Sequence, residues 1–380
     1  MRVALVHYWL LGSRGGEKVL EAICRLLPEA DIFTLFYDPE RVSPLIRSKK
    51  VTASFLNPLK RYYRGLLPLM PMALEAFDLR GYDLVISSES GPAKGVITSS
   101  NTRHICYCHT PMRYLWDLYP AYRNDFGAGS VARALMAPVS NYLRTWDYST
   151  ASRVDTFLAN SWNVRRRIWK TWRRKARVMH PPVPVDSFRF EPSEEYFLIV
   201  SEMVSYKRLD YAVRTFAGNG RKLKIVGDGP EYRKLRRLSA ANIEFCGRVS
   251  DLDLRGLYAR SAALIVPGEE DFGMTMVESL ASGKPVVALG RGGALEIVGA
   301  GGGVLYDDAS EAGLTEAIRR FDKLERSLSP LSLSSMAAAF SETVFEREFR
   351  AVLAKVSRIL APCPNLQPIY NFRTTPAASG

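Results

Sequence analysis

Short apolar runs alternate with amphipathic segments along most of the chain, and a glycine or a polar turn follows most of the runs. This alternation predicts parallel strands joined by helices, because a strand covered on both faces is apolar throughout. In the first half, the pattern predicts strands at residues 2–8, 31–36, 83–87 and 104–107 and a helix at 17–27. In the second half, it predicts strands at residues 196–200, 223–227, 243–245, 262–266 and 285–288.

Two α/β domains follow from this pattern. A proline-rich segment at residues 180–185 separates the alternations and suits a linker. We therefore expect a first domain at 1–178 and a second at 179–344, each a doubly wound parallel sheet. Such sheets bind ligands beyond the carboxyl ends of their strands, so two facing sheets predict a site in the cleft between them. The end of the chain, residues 361–380, is poor in aliphatic side chains and is expected to be a loose tail.

The composition is that of a globular protein, with 380 residues, 47% hydrophobic and 24% charged. The chain contains no apolar run long enough to span a membrane, and Met1 leads directly into a strand, so we expect a cytoplasmic protein. The five cysteines lack the paired spacing of a metal site. Cys106, Cys108 and His109 lie together without a second cluster, and no metal is predicted.

The formal net charge of +13 predicts an acidic partner or surface. Basic residues crowd positions 165–177, with Trp162, Trp169 and Trp172 among them, and residues 59–70 have a similar basic and aromatic mixture. These segments favour peripheral binding to an anionic membrane surface. The alternative is a solvated helix face whose tryptophans lie in the core. Nucleic acid is disfavoured because no nucleic-acid-binding motif accompanies the charge.

Two glutamates, Glu270 and Glu278, lie eight residues apart across a predicted strand-to-helix turn. The amides of Gly273, Met274 and Thr275 would open the helix, and such amides favour an anion. Glu270 can accept hydrogen bonds from sugar hydroxyls, and Glu278 can accept hydrogen bonds from both hydroxyls of a ribose. The spacing alone is also compatible with two unrelated surface glutamates.

The run from Glu270 through Phe272 and Gly273 to Glu278, continuing to Val287, resembles the nucleotide-sugar signature of retaining GT-B glycosyltransferases of glycosyltransferase family four. Glycine turns at 227–229 and 246–249 precede it in the family's order, which adds Gly227 and Arg248 as donor-binding candidates. The resemblance implies a GT-B fold, in which two Rossmann-like domains face a central cleft. It also implies that residues 345–360 form a helix that crosses back to the first domain.

In the first domain, Gly15 and Gly16 lie in a run that resembles the family's glycine loop, which approaches the donor diphosphate. His109 matches a histidine that the resemblance places near the donor sugar, and it is the acceptor-side catalytic candidate. A packed, structural His109 is the alternative. Arg113 and Trp116 follow it and are predicted to bind the acceptor.

Lys207 matches a lysine that clamps the diphosphate in the family, and with His109 and Glu270 it completes the predicted catalytic set. The chain departs from the pattern at Glu202, where family members usually carry a second clamping arginine. A carboxylate would repel a diphosphate, so we expect Glu202 to point elsewhere or to pair with a cation such as Arg208 or Arg248.

The resemblance implies a retaining, metal-independent hexosyltransferase without a cofactor. The segment 206–210 is similar to a bacterial subset that makes surface polysaccharides, so mannose from GDP-mannose is the predicted sugar and a lipid-linked saccharide or oligosaccharide the predicted acceptor. The alternatives are a GT-B nucleotide-sugar epimerase and, from another class, a basic nucleic-acid-binding protein.

Overall fold

The computed structural model describes residues 1–120, 130–299 and 301–360. These residues form two α/β domains, each built on one parallel sheet. The predicted loose tail at 361–380 lies outside the described residues. No helix in the described part of the chain has both the length and the apolar content that a membrane span requires.

The first sheet has seven parallel strands in the order β3-β2-β1-β4-β5-β6-β7. Its strands are β1 Val3–His7, β2 Asp31–Thr34, β3 Val51–Ala53, β4 Leu84–Glu89, β5 Arg103–Cys108, β6 Thr156–Ala159 and β7 Ala176–Val178. Its helices are α1 Gly15–Leu26, α2 Pro44–Arg47, α3 Met70–Glu75, α4 Ser130–Thr150 and α5 Trp162–Trp172, with 3-10 segments at Pro39–Arg41, Asn57–Leu69, Ala93–Gly95 and Ala151–Arg153.

The second sheet has six parallel strands in the order β10-β9-β8-β11-β12-β13. Its strands are β8 Phe197–Val200, β9 Leu223–Val226, β10 Ile243–Gly247, β11 Ala263–Val266, β12 Val286–Leu289 and β13 Gly303–Tyr306. The helices are α6 Leu209–Asn219, α7 Tyr232–Leu238, α8 Asp251–Arg260, α9 Met274–Ala281, α10 Ala294–Ile297, α11 Glu311–Leu324, α12 Pro330–Ala337 and α13 Glu342–Leu360, with 3-10 segments at Val185–Ser187, Ser205–Lys207, Glu325–Ser327 and Ala338–Phe340.

The apolar pattern explains both sheets. All residues of β1, β11 and β12 are buried, because helices cover both faces of these central strands. The fold class is as predicted, and every predicted strand is present. The edge strands β3 and β7 are short and only partly buried, so their sequences carry little apolar signal.

The last described helix, α13, returns to the first domain after the second sheet is complete. Phe345, Phe349, Val352 and Val356 all pack in the core cluster of that domain, with the α1 side chains Val19 and Ile23. The chain therefore passes between the two domains twice, near residues 179–196 and at α13. The carboxyl ends of the two sheets border a cleft between the domains.

Candidate active site

The turn at residues 267–273, called here the Gly273 turn, joins β11 to α9 at the carboxyl edge of the second sheet. Gly273 ends the turn with a φ of 98°, a left-handed conformation that favours glycine. A Cβ there would lie 2.2 Å from Cε of Met276, so a larger residue would also have to displace the end of that side chain. The first amides of α9, including those of Met274 and Thr275, lack acceptors within the helix. The turn therefore offers N–H groups and a positive helix end to an anion.

Lys207 and Glu270 form an ion pair beside this turn. Lys207 ends the 3-10 segment after β8, and its Nζ donates to Oε2 of Glu270. The two side chains are only 16% and 18% exposed. Burial is the largest single effect and opposes the charge on Lys207, but Glu270, Tyr206 and Asp271 together outweigh it, and the pKa of the lysine is raised. A charged ammonium group is thus held beside the helix amides, where it can neutralise a phosphate.

Glu278 lies on α9 with its side chain almost fully buried. Its Oε2 accepts a hydrogen bond of 2.8 Å from the Tyr258 hydroxyl, and its Oε1 lies 3.9 Å from Nζ of Lys18 in the first domain. The carboxylate borders an interdomain cavity of about 170 Å³, which Asp251 and Arg255 also line. Glu270 instead borders a separate, much smaller cavity. The two glutamates therefore border different cavities.

The glycine loop lies across the cleft from the Gly273 turn. A Cβ on Gly15 would lie 3.3 Å from Sδ of Met274, so bare backbone of the first domain faces the start of α9. A Cβ on Gly16 would lie 2.7 Å from the Tyr8 hydroxyl and 3.7 Å from Nε2 of His109. The structure thus brings Gly15, Gly16, Met274 and His109 together, as the sequence predicts for residues around one ligand.

His109 follows β5 at the carboxyl edge of the first sheet. Its Nε2 lies 2.9 Å from Oγ of Ser88, and its amide donates to the Glu89 carbonyl. Burial, with a smaller effect of His7, lowers the pKa of His109 to about 3. The imidazole is therefore neutral at pH 7, and it is suited to hydrogen bonding and not to carrying charge. His7 is fully buried, and among the described residues neither of its ring nitrogens has a hydrogen-bond partner.

The two predicted acceptor residues have different surroundings. Arg113 reaches the cleft, where its guanidinium lies 3.3 Å from Asp271 of the Gly273 turn and 3.4 Å from Asp117. The Trp116 indole donates at 2.8 Å to Asp147, a fully buried carboxylate of α4. The indole N–H is therefore already satisfied inside the first domain, and the ring packs against the core cluster of Met112, Leu115 and Leu143.

Three further donor-binding candidates lie at strand ends of the second domain. Gly227 has a φ of 129°, and a Cβ there would lie 2.0 Å from the carbonyl oxygen of Ser201, so glycine is required for packing. Arg248 is exposed beyond β10. The ring of Phe272 is buried against His180 and Phe340, so this residue can offer a donor only its main chain.

Arg167 joins the two domains. The sequence did not predict it as a cleft residue. It lies in the basic segment predicted to face a membrane, yet its side chain is only 15% exposed. Its guanidinium donates to Asp271 and to Glu269, and it lies 3.3 Å from Asp117. Helix periodicity gives the missing signal, because Arg167 shares a helix face with the buried Val164.

Glu202 has a partner that the sequence did not predict. Its Oε2 accepts a hydrogen bond of 3.1 Å from Nη1 of Arg14, the residue before the glycine loop's paired glycines. Arg208 instead lies over the Tyr211 ring at 4.1 Å, and Arg248 points to solvent. The expected partners are therefore wrong, because the cation comes from the opposite domain and not from the neighbouring sequence.

Within the described residues, no group of three or more His, Cys, Asp or Glu side chains could hold a metal ion. The cleft instead carries paired charges: each of its named cations faces a carboxylate. The pairs are Arg14 with Glu202, Lys18 with Glu278, Arg113 and Arg167 with Asp271, and Lys207 with Glu270. An anionic ligand that binds these cations would therefore have to replace the carboxylates as their partners.

Known structures share this architecture. The chain is similar to a sucrose-phosphate synthase of Thermosynechococcus elongatus, with a TM-score of 0.70, 16% identity, and coverage of 94% of this chain and 100% of the other. It is also similar to Anabaena Alr3699/HepE in complex with UDP-glucose, with a TM-score of 0.69, 15% identity, and coverage of 93% and 100%. At these identities, the similarity establishes the GT-B fold alone.

Two family models match successive parts of the chain. Residues 13–187 match Glycosyltransferase Family 4, and residues 186–334 match Glycosyl transferases group 1. Together the two models cover residues 13–334, and with the GT-B architecture they support a GT-B glycosyltransferase of family four. This glycosyltransferase therefore has the family assignment that the motifs around Gly15 and Glu278 predicted.

Curated relatives match parts of this glycosyltransferase. A GDP-mannose-dependent alpha-(1-6)-phosphatidylinositol dimannoside mannosyltransferase of Mycobacterium tuberculosis is 36% identical over 27% of this chain and 28% of its own length. A GDP-mannose-dependent alpha-mannosyltransferase of Mycolicibacterium smegmatis is 28% identical over 52% and 54%. An uncharacterized glycosyltransferase of Methanocaldococcus jannaschii is 28% identical over 40% and 44%. The matches thus span at most about half of each relative.

Proposed function

We propose that this protein is a retaining glycosyltransferase that transfers a hexose from a nucleotide sugar, with mannose from GDP-mannose as the preferred donor. The observation that carries the proposal is that Lys207, the Gly273 turn and the glycine loop converge on one interdomain cleft. Each of these elements suits a phosphate, and Glu270 and Glu278 add acceptors for the hydroxyls of a sugar and a ribose. The family assignment supports the same donor class.

The chemistry follows from where charge develops. As the anomeric bond breaks, the leaving nucleoside diphosphate gains negative charge, which Lys207 and the amides of Met274 and Thr275 would stabilise. We assign this role to these groups and not to a metal ion. Retention of configuration is consistent with attack of the acceptor hydroxyl on the face that the diphosphate leaves, with the diphosphate taking the hydroxyl proton. In this scheme, Glu270 binds the sugar and does not act as an acid.

The first domain would hold the acceptor. His109, neutral at pH 7, would hydrogen-bond the donor sugar at the reaction centre, and closure of the domains would exclude competing water. Arg113 and Trp116 would contact a lipid-linked saccharide or oligosaccharide. Two relatives are named GDP-mannose-dependent mannosyltransferases, which supports mannose as the sugar. We place the reaction in polysaccharide biosynthesis in the cytoplasm.

A donor screen tests the proposal. Thermal unfolding is measured with GDP, UDP and ADP and with their sugars, and the preferred donor is then incubated with lipid-linked acceptors. We expect stabilisation by GDP and GDP-mannose, and sugar transfer that requires the acceptor. Product formed from the donor alone would favour the epimerase, and an oligonucleotide mobility shift without nucleotide binding would favour the nucleic-acid alternative. Transfer with inverted anomeric configuration would contradict retention.

We also propose that the protein binds the cytoplasmic face of an anionic membrane. Trp162 and Trp169 on α5 are 53% and 50% exposed, and Arg165, Arg166 and Lys170 are exposed with them. This mixture of aromatic and basic side chains is typical of membrane interfaces. Trp172 and Arg167 do not contribute, because the indole is buried and the guanidinium is in the cleft.

The segment Asn57–Leu69 presents a second surface of the same kind. Tyr62 is 56% exposed and Leu59 is 47% exposed, and Arg61 and Arg64 are exposed beside them. Arg61 lies over the Tyr62 ring, 4.5 Å from its centroid. The first domain thus carries two surfaces that combine exposed apolar groups with positive charge.

Sedimentation with vesicles tests the membrane proposal. We expect binding to phosphatidylglycerol vesicles that falls with salt, and that falls further when Trp162 and Trp169 are replaced by alanine or Arg165 and Arg166 by glutamine. Arg319→Gln is the matched control, because it removes an exposed cation from the second domain. Equal binding by all variants, or no binding by the wild type, would contradict the proposal.

A further inference from the structure

The Arg14–Glu202 pair joins the two walls of the cleft. Arg14 immediately precedes α1 and the glycine loop's Gly15, which faces Met274. Glu202 follows β8 on the loop that leads to Lys207. The Nη1 to Oε2 distance is 3.1 Å, between residues 188 positions apart in sequence. The guanidinium therefore reaches from the first domain to the loop that carries the phosphate-binding lysine.

Charges of both signs surround this position. Burial is the largest effect and raises the pKa of the Tyr206 hydroxyl. The carboxylates of Glu270, Glu202 and Asp271 also raise this pKa, and Lys207 lowers it. Nζ of Lys207, the partner of Glu270, lies 5.6 Å from the centroid of the Tyr206 ring. A diphosphate held by Lys207 would approach the Glu202 carboxylate, and the two anions would repel each other unless a cation lay between them. Arg14 is the cation that the structure places there.

The Arg14–Glu202 pair is also the most easily exchanged of the cleft pairs described above. Its side chains are 52% and 33% exposed, whereas those of Lys207 and Glu270 are 16% and 18% exposed. Exposed ion pairs contribute little to stability, because water solvates both partners well. A guanidinium binds phosphate oxygens more strongly through two parallel hydrogen bonds. The geometry therefore allows Arg14 to move from the carboxylate to a phosphate.

We propose that Arg14 is a donor-binding residue that contacts the diphosphate, and that Glu202 holds its guanidinium in the cleft until the donor arrives. This inference rests on the proposed donor class. Because Arg14 belongs to the first domain and Lys207 to the second, a diphosphate bound by both cations joins the two walls. Donor binding is thereby coupled to the approach of the domains.

The alternative is that the Arg14–Glu202 pair only ties the domains together. The two interpretations predict different signs for the Glu202 variant. If the ion pair only holds the two domains together, removing either partner has the same effect on nucleotide binding. If Arg14 binds phosphate, losing the guanidinium weakens binding, and losing the competing carboxylate strengthens it.

Calorimetric titration of the full chain with GDP separates these interpretations. We expect Arg14→Gln to weaken GDP binding about tenfold, which is typical of one lost charge-assisted contact, and to change GMP binding much less. Glu202→Gln should bind GDP more tightly than the wild type. The double variant Arg14→Gln, Glu202→Arg should recover most of the lost affinity, because a cation again faces the diphosphate from the opposite wall.

One control and the contrary results complete the test. Arg214→Gln removes another exposed pair of similar geometry, with Glu311 in the second domain, and should leave GDP binding unchanged. Unchanged GDP affinity in Arg14→Gln, or equal weakening by Glu202→Gln, would overturn the inference and leave the proposed function intact. Wild-type protein that binds neither GDP, UDP, ADP nor pyrophosphate would overturn both. If only UDP or ADP binds, the same variants are measured with that nucleotide.

Discussion

Replacing Lys207 by methionine should weaken nucleotide binding and also destabilise the second domain. The ammonium neutralises Glu270, whose side chain is only 18% exposed, so its removal leaves a poorly solvated carboxylate without its partner. Breaking a fully buried pair costs about 3–5 kcal/mol. Since this pair keeps some contact with water, we expect the lower end, about 3 kcal/mol of unfolding free energy.

The same substitution removes a cation from the proposed phosphate position. A hydrogen bond to a charged group contributes about 1.5–3 kcal/mol, which corresponds to roughly 10- to 150-fold in affinity. The Glu270 carboxylate would also remain as an uncompensated negative charge near the diphosphate. We therefore expect GDP binding to Lys207→Met to be weaker by about 100-fold.

Two measurements separate the effects. Urea unfolding reports stability, and calorimetric titration reports GDP affinity. The double variant Lys207→Met, Glu270→Gln should recover stability, because neither charge remains, but GDP binding should stay weak. Lys224→Met is the control, because it removes a lysine whose partner Glu244 is exposed outside the cleft.

Wild-type GDP affinity in Lys207→Met would refute the phosphate role. Equal stability of the wild type, the single variant and the double variant would refute the claim that the two side chains neutralise each other in a poorly solvated site. A double variant that regains both stability and GDP affinity would show that Glu270 repels the donor and that Lys207 does not contact it.

Three other outcomes are expected. Glu278→Gln should weaken GDP binding about tenfold more than it weakens pyrophosphate binding, because only the nucleotide has a ribose; equal effects would contradict the ribose role. Gly16→Ala should lower transfer activity, because its Cβ would lie 2.7 Å from the Tyr8 hydroxyl; wild-type rates would show that the loop has room. Burial raises the pKa of Glu89 from 4.5 to about 8, so the folded chain binds the extra proton and unfolding free energy should fall by roughly 1 kcal/mol per unit on average from pH 6.5 to 8. Below pH 6.5 the buried His104 and His109, with pKa values lowered to about 4 and about 3, act in the opposite direction to Glu89, because only their unfolded forms bind protons there. Together they outweigh Glu89, so stability should fall as pH falls. Urea unfolding of Glu89→Gln should lack the alkaline decrease.

The central strands and the Gly273 turn could be predicted because their determinants are local. Uninterrupted apolar runs specify strands buried on both faces, and a glycine between a strand and a helix indicates a position that side chains cannot occupy. The 98° φ of Gly273 and its contact with Met276 are consistent with that interpretation. These features require only neighbouring residues, so one sequence contains the information.

The interdomain pairs could not be predicted in the same way. Arg14 and Glu202 are 188 positions apart, and nothing in either local sequence indicates that the two loops meet. The sequence did indicate a problem, namely a carboxylate close to the predicted phosphate position. It could not indicate that the compensating cation comes from the first domain, because that depends on how two separately folded sheets face each other.

The charge excess has a different meaning once the cations are divided by position. Arg14 and Arg167 face carboxylates inside the cleft, whereas Arg165 and Arg166 are exposed on the outer face of α5. A residue count treats all four as one basic surface. The structure assigns the first two to the cleft and leaves the second two for an external anionic surface. The membrane proposal and the donor proposal therefore depend on different arginines, so neutralising Arg165 and Arg166 should release the protein from vesicles without weakening GDP binding.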